Sequence, residues 1–588
     1  MTFRTLSEYF EELEKTSKRL EITAILAELF NKAKQNEIYE IVFLSLGTIG
    51  PNYESHKFNI AEKIMIRAIS RACNRKEGDV LSKFKMLGDL GLTAKEFAKK
   101  TSTSIRQEEL SASKVFNLLT EIAKASGTGS QDRKISLMAG LIKNLDSNSA
   151  KFAVRITLGT MRLGFSETTL IEALSWMKQK DKSLKKEIEA KYRIYPNIGF
   201  IAKEFKEKGV GGIKGIEIEV GVPILSARCQ RVSTAEEIVE RHKKSAIEYK
   251  YDGTRVQLHI DRAKTLKDED ESLLKNDDKT FVKTYTRNLE ETTHMFPDVI
   301  EAVLKQVDAK SVILDCEAVG VDPKTGEFVS FQVTITRKRK YNVQEALKAV
   351  PLKLIIFDIL YYDGKSLINT PFSERRQILK NIVKENNKVS LAPEIIVDNP
   401  KDLLNIFNKS VSSGLEGIVA KDLNAYYTVG SRGYAWIKFK REETGNLEDT
   451  LEPVVFGYYK GSGQRSKFGI GAFLVGVIDE KEDNFKTLAK IGTGLTDKQW
   501  VELRERCDFL KEKEMPKDYV VPKGLFCDVW VSPKIMVSIR ADEITVSPIH
   551  TAGYALRFPR LMAFRDDIAP KDATTVEEIK KLYKLWRT

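Results

Sequence analysis

Residues 248–255 read Glu-Tyr-Lys-Tyr-Asp-Gly-Thr-Arg. The first part alternates as a strand does, with Ile247, Tyr249 and Tyr251 on one side and Glu248, Lys250 and Asp252 on the other. A lysine between two carboxylates, just before a glycine turn and an arginine, is placed to be a nucleophile. Protonation stands in its way. At an ordinary pKa of about 10.4, well under about 1% of a lysine is neutral at pH 7. Neighbouring cations or a metal ion would free the lone pair. The plainer reading of the same residues is a surface lysine in an ion pair.

Lys250–Arg255 resembles motif I of the covalent nucleotidyltransferases, which comprise ATP-dependent DNA ligases, RNA ligases and mRNA capping enzymes. The resemblance implies that Lys250 attacks the nucleotide α-phosphate and carries the nucleoside monophosphate on its nitrogen, with Arg255 in the nucleotide site. Five further segments resemble the family's other motifs in the right order. Tyr285-Thr286-Arg287-Asn288 implies a nucleotide contact for Arg287. Leu314-Asp315-Cys316-Glu317 implies that Glu317 binds ribose or metal. Leu354-Ile355-Ile356-Phe357-Asp358 implies that Phe357 stacks on adenine. Glu416-Gly417-Ile418-Val419-Ala420-Lys421 implies a metal-associated Glu416. Trp436-Ile437-Lys438-Phe439-Lys440 implies that Lys438 and Lys440 reach the α-phosphate, and Arg432 matches a nucleotide-contacting arginine. Singly, each has a plain structural reading: strand-end carboxylates, a core phenylalanine, a half-buried strand. As an ordered set behind motif I they are poorly explained by chance.

The chemistry agrees. Attack on an α-phosphate needs positioning, charge neutralisation and a departing pyrophosphate. Lys438, Lys440 and a divalent ion would supply the positive charge. Oxygen donors such as Glu317 and Glu416 suit Mg2+, or Mn2+, better than zinc. Glu248 shares the face of Lys250 and could accept a hydrogen bond from a base amino group, which favours ATP over GTP.

The elements around these residues come from the rest of the chain. It has 588 residues, 42% hydrophobic and 30% charged, which suits several cores and excludes wholesale disorder. No apolar run approaches the roughly 18 residues of a membrane span, and no secretory signal opens the chain. Five scattered cysteines without a CxxC pair argue against a zinc site or a disulfide framework. Residues 1–215 are expected to be helical, with Leu170, Ile171, Leu174 and Met177 at helical spacing. They hold 37 basic and 26 acidic side chains, nearly all of the net +13. A basic segment on a near-neutral remainder suggests a polyanionic partner. The glycines at 209, 211, 212 and 215 suggest a linker. Residues 216–445 mix strands and helices; 446–588 are strand-rich and close with a helix capped by Thr575 and Glu578. Asp261–Lys279, dense in both charges, suggests a solvated hairpin extension.

A large basic helical segment before motif I is foreign to capping enzymes and most RNA ligases. Gly127–Gln131 and Arg155–Gly164 resemble the DNA-binding domain of replicative ATP-dependent DNA ligases of the archaeal and eukaryotic type. Lys490–Gly494 and Arg557-Phe558-Pro559-Arg560 resemble its OB-fold domain, the latter implying that Arg557 and Arg560 orient the β- and γ-phosphates of ATP. The fold class implied is multidomain: an all-α DNA-binding domain (1–215), an α/β adenylation domain (216–445) and an OB-fold β-barrel (446–588), able to wrap a duplex as a C-shaped clamp. The implied function is sealing of nicked double-stranded DNA in replication, repair and recombination, by a monomer free of membranes, cytoplasmic and nucleoid-associated if the chain is archaeal. A sliding clamp is a partner by family expectation only, since Gln107–Leu110 lacks the paired aromatics of a clamp-binding peptide. Where relatives often carry Arg-x-Asp-Lys after the last motif, this chain has Arg565-Asp566-Asp567-Ile568. The alternatives are an RNA ligase of the same superfamily and a non-catalytic DNA-binding scaffold.

Overall fold

The computed structural model describes the chain except residues 55, 100–108, 162, 233, 266–279, 330, 335–336, 338–344, 346, 348, 414, 441–446, 462–467 and 586–588. Arg162, Gln107, Trp586 and most of the charged stretch 261–279 therefore lie outside the described residues. The chain divides into two compact units. One comprises Met1–Tyr192, Asn197–Ile216 and Thr450–Thr588; the other comprises Arg193–Pro196 and Glu217–Asp449.

The second unit contains the lysine of motif I. Its strands are β1 (Arg228–Arg231), β2 (Ser245–Lys250), β3 (Thr254–Thr265), β4 (Thr280–Thr286), β5 (Ser311–Gly320), β6 (Leu352–Tyr362), β7 (Lys365–Ser366), β8 (Val389–Leu391), β9 (Glu394–Val397), β10 (Gly417–Asp422) and β11 (Arg432–Lys440). One sheet runs β1-β11-β10-β2-β9 and the other β4-β3-β5-β6-β7, with β8 beside β6. Period-two alternation gives each sheet two different faces. In the first sheet Ile247, Ile418, Ala420, Ile437 and Phe439 pack on helices Ala235–His242 and Pro400–Ser412, through residues such as Ile238, Leu403 and Phe407. In the second, Val256, Leu258, Leu314, Leu354 and Ile356 pack on helices Pro297–Gln306 and Phe372–Ile382. The opposite faces meet through Ile313, Leu360, Trp436 and Tyr427, with Val419 and Phe357 at the margin of that cluster. The charged motif residues are confined to these inner faces.

The first unit begins with helices from Phe3–Lys15 to Ile198–Lys214. Thr2, Ser111 and Asp146 cap three of them by accepting backbone N–H groups. The glycine cluster is not a plain linker. Helix Ile198–Lys214 continues through Gly211 and Gly212, broken only at Gly209 (φ 62°, ψ −145°), a conformation glycine adopts readily. Arg155 is buried and donates from Nε and Nη2 to one oxygen of Asp89 at 3.1 and 2.8 Å, and from Nη1 to Glu14 at 2.6 Å. It is a strut of the helical core rather than a phosphate ligand. Residues 450–588 form a six-stranded sheet with smaller sheets beside it, and Thr575 and Glu578 make the expected reciprocal cap on Val576–Leu585.

Within this unit the last third of the chain holds the first. Lys517 Nζ donates to the carbonyls of Leu13 (3.1 Å), Glu14 and Thr16 (2.8 Å), at the C-terminus of helix Phe3–Lys15. Lys534 Nζ donates to Gly159 O at 2.6 Å, ending helix Ser147–Leu158. Arg19 reaches the Asp483 carboxylate at 2.9 Å.

Candidate active site

The register of β2, β10 and β11 builds the site. Lys250 and Lys440 both pair with Gly417, one on each side; Glu248 and Lys438 flank Val419 in the same way. Paired residues share a face, so four motif side chains emerge together from β2 and β11, on either side of β10. Gly417 makes this spacing possible. Its φ is +140°, and a Cβ there would sit 2.3 Å from Phe439 O, so no other residue fits between the two lysines.

Glu416, just before β10, accepts from Lys250 at 2.7 Å and Lys440 at 3.0 Å. Burial alone would raise its carboxyl; the two ammonium groups hold it well below the usual carboxylate range. Glu317 behaves oppositely. Burial pushes it up to about 8, Lys250 and Arg255 pull it down, and Glu416 adds repulsion. Two neighbouring carboxylates driven apart in this way form an acidic site that a cation would stabilise. Among the described residues no group of three or more acidic, histidine or cysteine side chains forms a metal cage. Two carboxylates are nonetheless what Mg2+ takes when phosphates and water complete its shell.

Arg255 is fixed rather than free. Its Nε and Nη2 bind both oxygens of Asp315 at 2.9 and 2.6 Å, Nη1 binds Ala227 O at 2.7 Å, and Nη2 also reaches Tyr427 Oη at 3.2 Å. Tyr427 donates to Asp315 at 2.6 Å and accepts from Ala227 N. Most of the Arg255 donors are therefore spent within the protein, which limits any direct nucleotide contact. Asp315 shares the face of Glu317 two residues on, so alternation alone marked it. Tyr427 carried no sequence signal.

Phe357 stands at a bulge in the β5–β6 ladder, between Ile356 and Asp358. It is half-buried, edge-on to Trp436 with centroids 5.8 Å apart, and has Arg255 and Lys421 cations at 5.4 and 5.0 Å from its centroid. Buried Arg375 holds Asp358 with two bonds of 2.7 and 2.9 Å, fixing the strand just beyond the ring. Arg287 follows the last β3–β4 pair, Val256–Thr286, and so stands beside Arg255. Arg432 opens β11, paired with Arg228.

Sequence comparison decides the family. Residues 2–175 match the model of the DNA ligase N terminus, 272–440 that of the ATP-dependent DNA ligase domain, and 466–568 that of the ATP-dependent DNA ligase C-terminal region. A probable DNA ligase of Dictyoglomus turgidum is 45% identical, covering 99% of this chain and 98% of its own. A DNA ligase of Saccharolobus islandicus is 37% identical, covering 99% and 97%. The chain belongs to the ATP-dependent DNA ligase family.

The ligase is thus an enzyme that draws AMP from ATP and seals nicks in duplex DNA. Lys250 precedes the matched catalytic span, so its place rests on the strand register given above. Arg557 and Arg560 of the last motif belong to the first unit. They lie on successive short strands of two different sheets, Tyr554–Arg557 and Arg560–Phe564, exposed and paired with Glu543 and Asp542. Ile568, where relatives often carry lysine, is buried in the core of that unit with Phe456 and Trp530, while Arg565 is bidentate on Asp567. No helix among the described residues is long and apolar enough to cross a membrane.

Proposed function

We propose that Lys250 is the adenylated residue, and that the observation carrying this reading is the convergence of Lys250, Lys438, Lys440 and Glu416 at the inner face of one sheet, with Glu317 of the other sheet near enough to interact with Lys250 and Glu416. Lys250 leaves Glu416, loses its proton, and its Nζ lone pair attacks the α-phosphorus of ATP; the Pα–O bond to pyrophosphate breaks. Lys438 and Lys440 hold the α-phosphate oxygens as charge builds. Glu317 and Glu416 would hold Mg2+, or Mn2+, which supplies further positive charge to the phosphates. Phe357 stacks on adenine, Glu248 accepts from its amino group, and Arg287 and Arg432 contact the nucleotide. Arg255 acts through Asp315 and Tyr427 by fixing the wall of the pocket.

In the second step the 5′-phosphate of the nick displaces Lys250 from AMP. In the third the 3′-hydroxyl attacks that phosphate, and AMP leaves. The basic residues of 1–215 engage the DNA backbone without reading sequence. Gly127 and Gly129, both at positive φ with open space around them, start helix Ser130–Lys143; Gly127 O takes the Ser130 N–H, and the positive end of the helix suits a phosphate. The strand-rich region 446–588 is assigned as the OB-fold domain, whose Arg557 and Arg560 orient the ATP β- and γ-phosphates. Three functional domains, at 1–215, 216–445 and 446–588, and a monomeric enzyme, cytoplasmic and nucleoid-associated if the chain is archaeal, complete the reading. A sliding clamp remains a family-level partner.

The test is incubation with α-labelled ATP and Mg2+ followed by a denaturing gel. Label should travel with the wild-type chain and be absent from Lys250→Ala. Label on the variant would remove Lys250 as the nucleophile.

A further inference from the structure

Lys421, at the end of motif IV, has no part in the phosphate chemistry. It is 1% exposed, yet its Nζ makes two bonds of 2.7 Å to partners on different sheets: the Glu248 carboxylate on β2 and the Phe357 carbonyl on β6. Its ammonium also lies 4.6 Å from the Trp436 centroid and 4.7 Å from that of Phe372. The β2–β10 register pairs Lys421 with Ala246 and Val419 with Glu248. Lysine therefore reaches diagonally to the carboxylate, within the range of a long side chain. Glu248 is 3% exposed; Lys421 takes its Oε2, and its Oε1 is buried without a partner. A buried acceptor left open is costly unless a ligand fills it.

Taking Glu248 as the reader of the base, we infer that Lys421 is the positioning residue that makes the pocket choose a 6-amino purine over a 6-oxo purine. Lys421 holds Glu248 as a carboxylate, with one oxygen occupied and the other turned to the base. An ionised carboxylate only accepts, so it takes an amino N–H and repels a carbonyl oxygen; a protonated one can donate to that carbonyl. The surroundings make the ionised form precarious. Burial raises the Glu248 carboxyl, Asp358 adds to the rise, and Lys421 is the foremost group opposing it, followed by Arg376. Glu394 stands directly across from Glu248 on β9, but is itself paired with Lys380 at 2.6 Å and Arg376 at 3.3 Å. Because Lys421 also anchors the Phe357 carbonyl, it links the strand that bears the stacking ring to the strand that bears the acceptor.

The experiment measures self-adenylation against GMP transfer, using ATP, GTP and purine riboside triphosphate, which lacks the 6-amino group. Wild type should prefer ATP over both. Lys421→Met should lower the ATP:GTP ratio of kcat/KM by about tenfold or more, chiefly through KM, while Lys421→Arg, which keeps the charge, should retain most of it. A purely structural lysine would cut the active fraction and leave the ratio unchanged, and that result overturns the inference. Glu248→Gln separates the two levels. An unaltered ratio in Glu248→Gln removes the reading of Glu248 itself. A collapsed ratio there, with Lys421→Met keeping the wild-type ratio, removes only the role of Lys421. Should Lys421→Met fold poorly, the double variant with Glu248→Gln has no stranded charge. It should match Glu248→Gln alone, and a further tenfold change would mean that Lys421 acts on the nucleotide directly.

Discussion

Lys250 is held by the same carboxylate that holds Lys440; in the proposed reaction both lysines turn from it to a phosphate. This separates the carrier of AMP from the groups that stabilise charge. Lys250→Ala should fail on an ordinary nick with ATP, yet still seal a nick supplied with a pre-adenylated 5′-phosphate and no ATP. Gel assays of both substrates decide it: complete failure on the pre-adenylated nick, with DNA binding intact, would mean that Lys250 does more than carry AMP. Phe357 allows a second test. Half-buried and edge-on to Trp436, it is the ring that the proposed reaction stacks on adenine, so Phe357→Ala should raise the KM for ATP in self-adenylation. A stacking contact is worth about 1–3 kcal/mol, or roughly fivefold to 150-fold. Early unfolding with unchanged ATP dependence would make it a core residue instead. At this scale the sequence was informative where residues sit at fixed short spacings. Alternation placed Glu248 with Lys250 and Lys438 with Lys440 on shared faces; the roles of Lys438 and Lys440 came from the resemblance to the family's motifs. Arg255 was read as a nucleotide contact because its partners, Asp315 and Tyr427, lie 60 and 172 residues away, and no local pattern shows that they absorb its donors. The burial of Arg155 was hidden for the same reason, since Asp89 is 66 residues distant.

Gly417 carries the register of the active sheet. With φ at +140° and Phe439 O where a Cβ would fall, Gly417→Ala must shift β10 against β11 and part Lys250 from Lys440. Self-adenylation should fall by at least about tenfold, and stability by about 1–3 kcal/mol, as expected for a clash at a special backbone position. Denaturant unfolding together with the gel assay measures both, and wild-type values in each would place the constraint elsewhere. Strands such as β2 and β3 and helix Phe372–Ile382 were legible because hydrophobic period reports which face is buried. The glycines after Lys208 were not: the same residues that mark linkers also permit one break inside a helix, and only the packing of Ile213 and Phe205 distinguishes the two.

For the whole molecule, charge is the readable quantity. Residues 1–215 carry almost all of the net positive charge, and each neutralised phosphate contributes about −0.9 to the slope of log affinity against log salt. Removing these residues should weaken binding to nicked duplex and flatten that slope, while the remaining motifs still support self-adenylation. An unchanged slope would mean that the basic side chains serve solubility alone. The sequence suggested a separate helical domain and a separate strand-rich one, and both textures are present. That the two share one compact unit was not legible, because bonds joining them come from isolated side chains, Lys517, Lys534 and Arg19, with no pattern around them.

Those lysines also set an order in time. Helix Phe3–Lys15 receives the donors for its last carbonyls from Lys517, 504 residues downstream of Leu13, and helix Ser147–Leu158 receives one from Lys534, 375 residues downstream of Gly159. During synthesis the first helices therefore emerge with these ends open to water, and they stay so until nearly the whole chain has left the ribosome. The N-terminal helices can form early by their own packing, but their final tightening waits until Lys517 and Lys534 have been made.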